Sequence, residues 1–283
     1  MVRQLLLVPE GGLGNRMRAI AGAVALTAGM SGSVEVVWFR DPELCVSFAS
    51  LFEPVCMPEV HIREAVLSDY LLYRRPRPRN LGVPQLMQRL LFRNRIYATE
   101  VIDLMSGGFD FRQWCAGGSA YLHTYSRVCD TSPQLMQKLF VPVKELRNRI
   151  EERCSGFGRY CVGVHVRRTD HDKAIAASPL ELFYASMDHE VEQHPDVHFY
   201  LATDDEEVKQ LMAARYGNRL QASPVQAQRN SRQGMEDALV EMYALARTQK
   251  IYGSFKSTFS QIASELGKVP IEVVANCDTN YRL

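Results

Sequence analysis

No apolar run in this sequence approaches the roughly 20 residues that a bilayer-spanning helix needs, so no integral membrane helix is expected. Cysteine is sparse and unpatterned. The seven residues Cys45, Cys56, Cys115, Cys129, Cys154, Cys161 and Cys277 are odd in number and widely scattered, without a C-x-x-C pair or a Cys/His spacing that suits zinc. This predicts buried thiols in a reducing compartment, hence a cytoplasmic protein, with peripheral membrane attachment as an open alternative. Charge of either sign is not in excess: the net charge is +1, which points to no nucleic acid or other strongly charged partner. Internal repeats and low-complexity tracts are absent. The apolar residues between Met1 and Val8 lead into a glycine-rich loop with no small-residue cleavage site after them, and they read as a strand rather than a signal peptide.

What is present is ordinary globular composition, 46% apolar and 23% charged, in 283 residues, enough for one large or two medium domains. The most informative stretch runs from Cys161 to Lys173. Val162, Val164 and Val166 are β-branched at period two and suit a strand with one packed face; His165, Arg167 and Arg168 follow at its carboxyl end, where open α/β sheets bind ligands. Two adjacent guanidiniums present about ten N–H donors in fixed forks, a geometry suited to a phosphate or diphosphate. The alternative is an arginine paired with Asp170 or Asp172 in a surface network.

Upstream, Leu5 to Val8, the loop Gly11-Gly12-Leu13-Gly14-Asn15-Arg16 and the small-residue segment Met17 to Met30 read as strand, glycine loop and helix. The glycines permit positive φ and close backbone approach, and the helix N-terminus attracts anions, but the spacing is neither the dinucleotide fingerprint nor a Walker A loop. Val34 to Phe39 and Tyr121 to Tyr125 read as further strands. Tyr70 to Thr99 holds seven arginines and no acid, with a basic, partly apolar helix expected over Gln85 to Ile96. That segment suits a solvated loop and helix, a wall for an anionic acceptor, or a contact with an anionic membrane. Helices are expected at 132–140, 143–154, 180–193, 206–216, 235–248 and 261–266, and strands at 197–202 and 250–253. The expected domains are 1–150 and 151–283, the second regular α/β, with three of its strands ending in polar loops.

Four motifs stand in one order: Gly-Gly-Leu-Gly-Asn-Arg at 11 to 16, His-Val-Arg-Arg-Thr-Asp at 165 to 170, Ala-Thr-Asp-Asp at 202 to 205 and Ser-Thr-Phe-Ser at 257 to 260. With them the chain resembles the fucosyltransferase superfamily of the α1,6-fucosyltransferases, the rhizobial nodulation fucosyltransferase and the protein O-fucosyltransferases. The resemblance implies an α/β fold of GT-B type, two Rossmann-like domains facing across a cleft. It also implies GDP-fucose bound mainly by the second domain, inversion at the anomeric carbon, and no metal or other cofactor. Arg167 would meet the β-phosphate, with Arg168 and Asp170 in support and His165 beside them. Gly12, Gly14, Asn15 and Arg16 would serve the donor from the first domain. Asp204 and Asp205 either line the site or cap the helix at Glu206. Ser257, Thr258 and Phe259 open a helix where hydroxyls cap and backbone N–H groups face anions.

Guanine needs an acceptor for two adjacent N–H donors, and the family places an acid for it on the helix before the Ser-rich loop. Glu241 stands at that distance, with Asp237 and Glu236 as rivals and a surface pair with Arg247 or Lys250 as its structural alternative. The α1,6 enzymes carry Glu a few residues after the RRTD motif, where this chain has Ile175; Asp172 is the substitute base, with Glu181 the other nearby acid. The function this implies is transfer of fucose from GDP-fucose to a glycan hydroxyl. A non-catalytic nucleotide-sugar or glycan-binding protein, and a transferase of the same fold using another donor, are the alternatives. The partners are the nucleotide sugar and a glycan acceptor, with a peripheral membrane or lipid-linked acceptor contact through 74–95.

Overall fold

Leu5, Leu6, Leu7 and Val8 are all buried, and a run of that kind is satisfied only by a sheet covered on both faces. The structure, a computed structural model, describes residues 3–75, 80–168, 172–225 and 231–276, excepting the side chains of Arg3 and residues 172–174. It divides into two units, Met1–Val143 and Lys144–Leu283.

The first unit runs β1 (Arg3–Pro9), α1 (Leu13–Thr27), β2 (Gly32–Trp38), α2 (Phe48–Leu51), β3 (Val60–Glu64), α3 (Leu67–Leu72) and α4 (Val83–Leu91). It continues with β4 (Asn94–Ile96), α5 (Ala98–Ser106), α6 (Phe111–Ala116), β5 (Ala120–Thr124) and α7 (Pro133–Leu139). Its five strands lie in the order β3-β2-β1-β5-β4, all parallel. Parallel strands require crossovers, and the helices between them supply both covering layers. The small residues of α1 (Ala19, Ala21, Gly22 and Ala23) are fully or nearly buried, and a Cβ on Gly22 would stand 3.1 Å from the Val128 backbone N. The expected helix over 85–96 is α4 followed by a strand, since Asn94–Ile96 pairs with Ala120–Leu122 and Ile96 joins the core.

The second unit runs α8 (Lys144–Cys154), β6 (Cys161–Val166), α9 (Asp172–Ala177), α10 (Leu180–Gln193), β7 (His198–Thr203) and α11 (Glu206–Tyr216). It ends with β8 (Leu220–Ala222), α12 (Arg232–Leu245), β9 (Lys250–Ser254), α13 (Thr258–Gly267) and β10 (Ile271–Val274). Its sheet is also wholly parallel, in the order β10-β9-β6-β7-β8. A boundary at 150 would cut α8. The helix belongs whole to this unit because its buried Leu146 and Ile150 lie on the side where it packs with α12.

β6 is buried along its entire length, not on one face as its period-two valines predict. Val162, Val164 and Val166 meet Phe183, Met187, Phe199 and Met212 on one side. On the other, Gly163 leaves so little room that a Cβ there would lie 2.8 Å from Thr248 Oγ1. Each fully buried Val, Leu or Phe contributes about 1.5–3 kcal/mol, so a central strand of this kind is a large part of the unit's stability. Of the six cysteines among the described residues only Cys115 and Cys161 are buried, and Cys56 is exposed, so burial of the thiols holds for only part of the set. Among the described residues no helix is long and apolar enough to cross a membrane.

Candidate nucleotide-sugar site

In the second sheet β6 is flanked by β7, the next strand in the chain, and by β9, reached only after two further crossovers. The strand order therefore reverses between β6 and β9, and the crevice beyond their carboxyl ends is where such sheets take ligands. The polar residues of this crevice come from those two ends and from β7.

Arg167 and Arg168 leave β6 half-buried, with the main chain pinned on both sides. The Arg167 N–H donates to Ser254 Oγ at 3.0 Å, and the Ser254 hydroxyl donates to the His165 carbonyl at 3.1 Å. The Arg168 N–H donates to Asp204 Oδ1 at 2.8 Å. The Arg168 guanidinium turns toward the end of α9, where Nη1 reaches the carbonyls of Ser178 at 3.0 Å and Ile175 at 3.4 Å. Ser178 is itself anchored, donating to the Val274 carbonyl and accepting from the Phe255 N–H. Three strand ends thus fix the backbone that carries the two guanidiniums.

His165, Ser257 and Phe259 converge. The His165 and Phe259 rings stack with centroids 4.9 Å apart and 23° between planes, and His165 Nδ1 lies 3.3 Å from Ser257 Oγ. Ser257 is the N-cap residue of α13 yet makes no capping bond with its side chain. Thr258 opens the helix at partial exposure, so the positive end of the α13 dipole and its first N–H groups lie beside the Arg167 main chain. Lys256, which no motif marks, occupies the left-handed region with φ of 52° and stands exposed in the turn before α13. Residue type alone carries no signal for that conformation.

Asp204 and Asp205 diverge. Asp204 accepts from Arg168, while Asp205 caps α11 by accepting from the N–H groups of Glu207 and Val208 at 2.8 and 3.2 Å. Asp170 lies outside the described residues, and Asp172 begins α9 with its side chain outside them. Among the described residues no group of three or more His, Cys, Asp or Glu could hold a metal ion.

The three candidate acids on α12 separate cleanly. Asp237 is buried against Arg149, and Glu236 pairs with Arg149 at 3.5 Å and Arg232 at 2.7 Å. Glu241 makes no hydrogen bond among the described residues, and its carboxyl feels the opposing charges of Arg153 and Lys209 on one hand and of Asp237 and Asp204 on the other. Burial pushes its carboxyl up to about 8, against the pull of the two cations. The surface pairs that could have occupied it are taken elsewhere: Arg247 holds Glu151 at 2.5 Å, and Lys250 holds Glu190 and Glu272 at 3.0 and 3.1 Å. Arg153 and Lys209 were not singled out in the sequence, where nothing marks a helix-end arginine and a mid-helix lysine as neighbours.

The glycine loop of the first unit behaves differently. Only Gly11 has positive φ, at 86°; Gly12 is the extended N-cap of α1 and Gly14 is buried inside the helix. Asn15 packs against Gly11, where a Cβ would meet its Nδ2 at 2.7 Å. Arg16 is fully buried: Nε donates to the Gly11 carbonyl at 2.8 Å, Nη1 to the Phe39 carbonyl at 2.5 Å, and Nη2 pairs with Asp41 at 3.0 Å. Its guanidinium also lies 4.9 Å from the Trp38 ring, and burial lowers its pKa from the usual arginine value. The side chain expected at the donor is built into the core of its own unit, because the short step from α1 to the end of β2 brings it under Asp41.

No family model matches the sequence, and no curated protein matches it significantly. Solved structures do. The chain is similar to NodZ α-1,6-fucosyltransferase soaked with GDP-fucose, at 21% identity and a TM-score of 0.66 over 96% of this chain and 94% of that one. It is also similar to fucosyltransferase NodZ from Bradyrhizobium at 19% identity and TM-score 0.62, over 96% and 95% of the two chains. POFUT1 in complex with GDP-fucose aligns at 12% identity and TM-score 0.57, over 96% and 98%. The fold is therefore the GT-B type of α/β fold, two Rossmann-like units, shared with these transferases over nearly the whole chain.

Proposed function

We propose that the chain is a glycosyltransferase of the fucosyltransferase superfamily that moves fucose from GDP-fucose to a glycan hydroxyl, inverting the anomeric carbon and using no metal. The observation that carries this reading is the pinned Arg167-Arg168 backbone at the β6/β9 switch point, facing the N-terminus of α13. The ligands bound by the solved structures of this fold, the nucleotide GDP and the donor GDP-fucose, support the choice of nucleotide sugar. On this reading the diphosphate lies against Arg167 and the first turn of α13, with Ser257, Thr258 and Phe259 around it, and Arg168, His165, Asp170, Asp204 and Asp205 shape its surroundings. The guanine edge is read by Glu241.

In the transfer itself the acceptor oxygen forms its bond to the anomeric carbon as the bond from that carbon to the β-phosphate oxygen breaks. The leaving electron pair stays on GDP, where Arg167 meets the growing charge with charge-assisted bonds of about 1.5–3 kcal/mol each. The hydroxyl proton passes to a carboxylate, which we assign to Asp172 at the start of α9, five residues beyond Arg167. The cation supplied by the chain removes the electrostatic need for a divalent ion. The protein acts in the cytoplasm, on a nucleotide sugar and a glycan, without nucleic acid.

Ile175 lies where the α1,6 enzymes carry their acid, and it favours a second reading in which the chain binds a nucleotide sugar without transferring it. A thermal-shift screen of GDP, UDP, ADP and CMP followed by donor hydrolysis separates the readings. GDP at 100 times its Kd should add about 2.7 kcal/mol and the others far less. Stabilisation by UDP or ADP instead of GDP would reject the donor assignment, and GDP binding without hydrolysis or transfer would favour the second reading.

A further inference from the structure

The α3–α4 region of the first unit carries an apolar surface that bears on the three readings of the arginine-rich segment 70–99. α4 has two apolar sides. Pro84, Gln88 and the adjoining Phe92 are buried, and Gln88 is fixed at both ends, donating to the Arg74 carbonyl at 3.0 Å and accepting from the Tyr97 hydroxyl at 2.9 Å. The opposite side presents Val83, Leu86 and Leu90, at i, i+3 and i+7, and Leu90 is 73% exposed. α3 packs against α4 and exposes Leu67 and Leu71 at i, i+4, the first of them 88% exposed. Leu81, in the left-handed turn that leads into α4, is 89% exposed. Single exposed leucines are ordinary, but this many on two packed helices are not.

The charge within this segment has one sign, although Arg75 pairs with Glu10. No Asp or Glu occurs between Tyr70 and Thr99. Asp69, just before, is buried and held by Arg63. Arg89 and Arg93 are exposed beside the leucines, Arg95 is half-buried behind them, and Arg74 lies over the Tyr70 ring at 4.9 Å. A polyanionic glycan would use the arginines and leave the leucines in water. A protein partner would need an acidic rim around an apolar groove. An anionic bilayer surface matches both features at once, taking leucines into the acyl boundary and arginines at phosphate level.

We infer that α3 and α4 form a peripheral docking surface for membranes rich in anionic phospholipid. The inference is independent of the donor-site assignment, since it rests on the other unit. The test is cosedimentation of the full chain with phosphatidylcholine vesicles with and without phosphatidylglycerol. Anionic lipid should raise the bound fraction about tenfold or more, and raised salt should lower it. Leu86→Asp with Leu90→Asp should lower binding about tenfold, as should Leu67→Asp with Leu71→Asp on the other helix. All four positions are exposed, so thermal melts and GDP binding should match the parent. Equal binding to both vesicles, or anionic binding that survives the leucine changes, would overturn the proposal; the latter would mean adsorption by charge alone. A self-associating chain that the same leucine changes render monomeric, without vesicle binding, would overturn it too and assign the face to a second copy.

Discussion

The two units put an arginine in comparable places, just beyond the first strand of a parallel sheet, and use it in opposite ways. In the first, Arg16 is enclosed, and its fork is bonded to Gly11, Phe39 and Asp41. In the second, Arg167 and Arg168 are half-buried, and the structure around them holds the main chain with Ser254 and Asp204. Arg16 ties its fork into the core of its own unit, whereas Arg167 and Arg168 are anchored through the main chain, with Arg168 adding guanidinium bonds to the Ser178 and Ile175 carbonyls. As strings of letters the RR motif is the more specific and the glycine loop the weaker ligand signal, yet both are expected at the donor. What distinguishes them is that Arg16 is fully enclosed, whereas the RR pair is half-buried with its main chain pinned at a strand end.

The comparison can be broken most directly in stability. Arg16→Ala leaves Asp41 without its partner and two carbonyls without their donors, which should cost about 3–5 kcal/mol of the first unit's stability in urea unfolding while GDP binding is retained. A stable Arg16→Ala that loses GDP would return Arg16 to the donor site and erase the contrast. In the second unit the largest effect should be catalytic. Arg167→Lys replaces a fork with a point charge, and turnover should fall about 10²–10³-fold with the melting profile intact. Near-parental turnover would remove Arg167 from the diphosphate.

Glu241 sharpens the comparison from the base end. Glu241→Gln puts a donor where guanine needs an acceptor, and calorimetry should show GDP affinity lower by about 1.5–3 kcal/mol. The pH dependence has a definite sign. With the free carboxyl at about 8, guanine binding must expel a proton at neutral pH, so affinity should climb with pH and level off above about 8. Calorimetry in buffers of different ionisation enthalpy reads that proton directly. Stability should move the other way, falling as pH rises from the ordinary carboxylate value of 4.5 to about 8, because the unfolded acid is already ionised there. Glu241→Gln should flatten this slope. Unchanged affinity and no proton release would take Glu241 out of the base pocket. The smallest expected effect is that of EDTA, which should leave transfer near its full rate; loss of transfer restored by Mg²⁺ or Mn²⁺ would reassign Asp204 and Asp205.

Much of this was legible in residue order. The apolar runs at Leu5 to Val8, Val162 to Val166 and Phe199 to Ala202, separated by amphipathic stretches, read as strands of α/β units, although the period-two valines of Val162 to Val166 imply only one packed face. The strand-end position of the RR pair and of the hydroxyl loop follows from the same patterning. Short edge strands were not legible: Leu220–Ala222 and Ile271–Val274 hold too few residues for a period to show, and exist because a neighbouring strand offers hydrogen bonds.

The tertiary structure alone decided which polar groups are already satisfied. Sequence offered Glu241 with Asp237 and Glu236 as rivals, and offered Arg247 and Lys250 as its partners; pairing across 60 to 96 residues assigned every one of them except Glu241. It decided equally that Leu86 and Leu90 face outward while Gln88 between them is buried, reversing what hydrophobicity along the chain implies. The physical reason is common to both. The period of a sequence fixes which side chains share a face, but the direction of that face, and the charges it meets, depend on contacts between segments far apart in the chain.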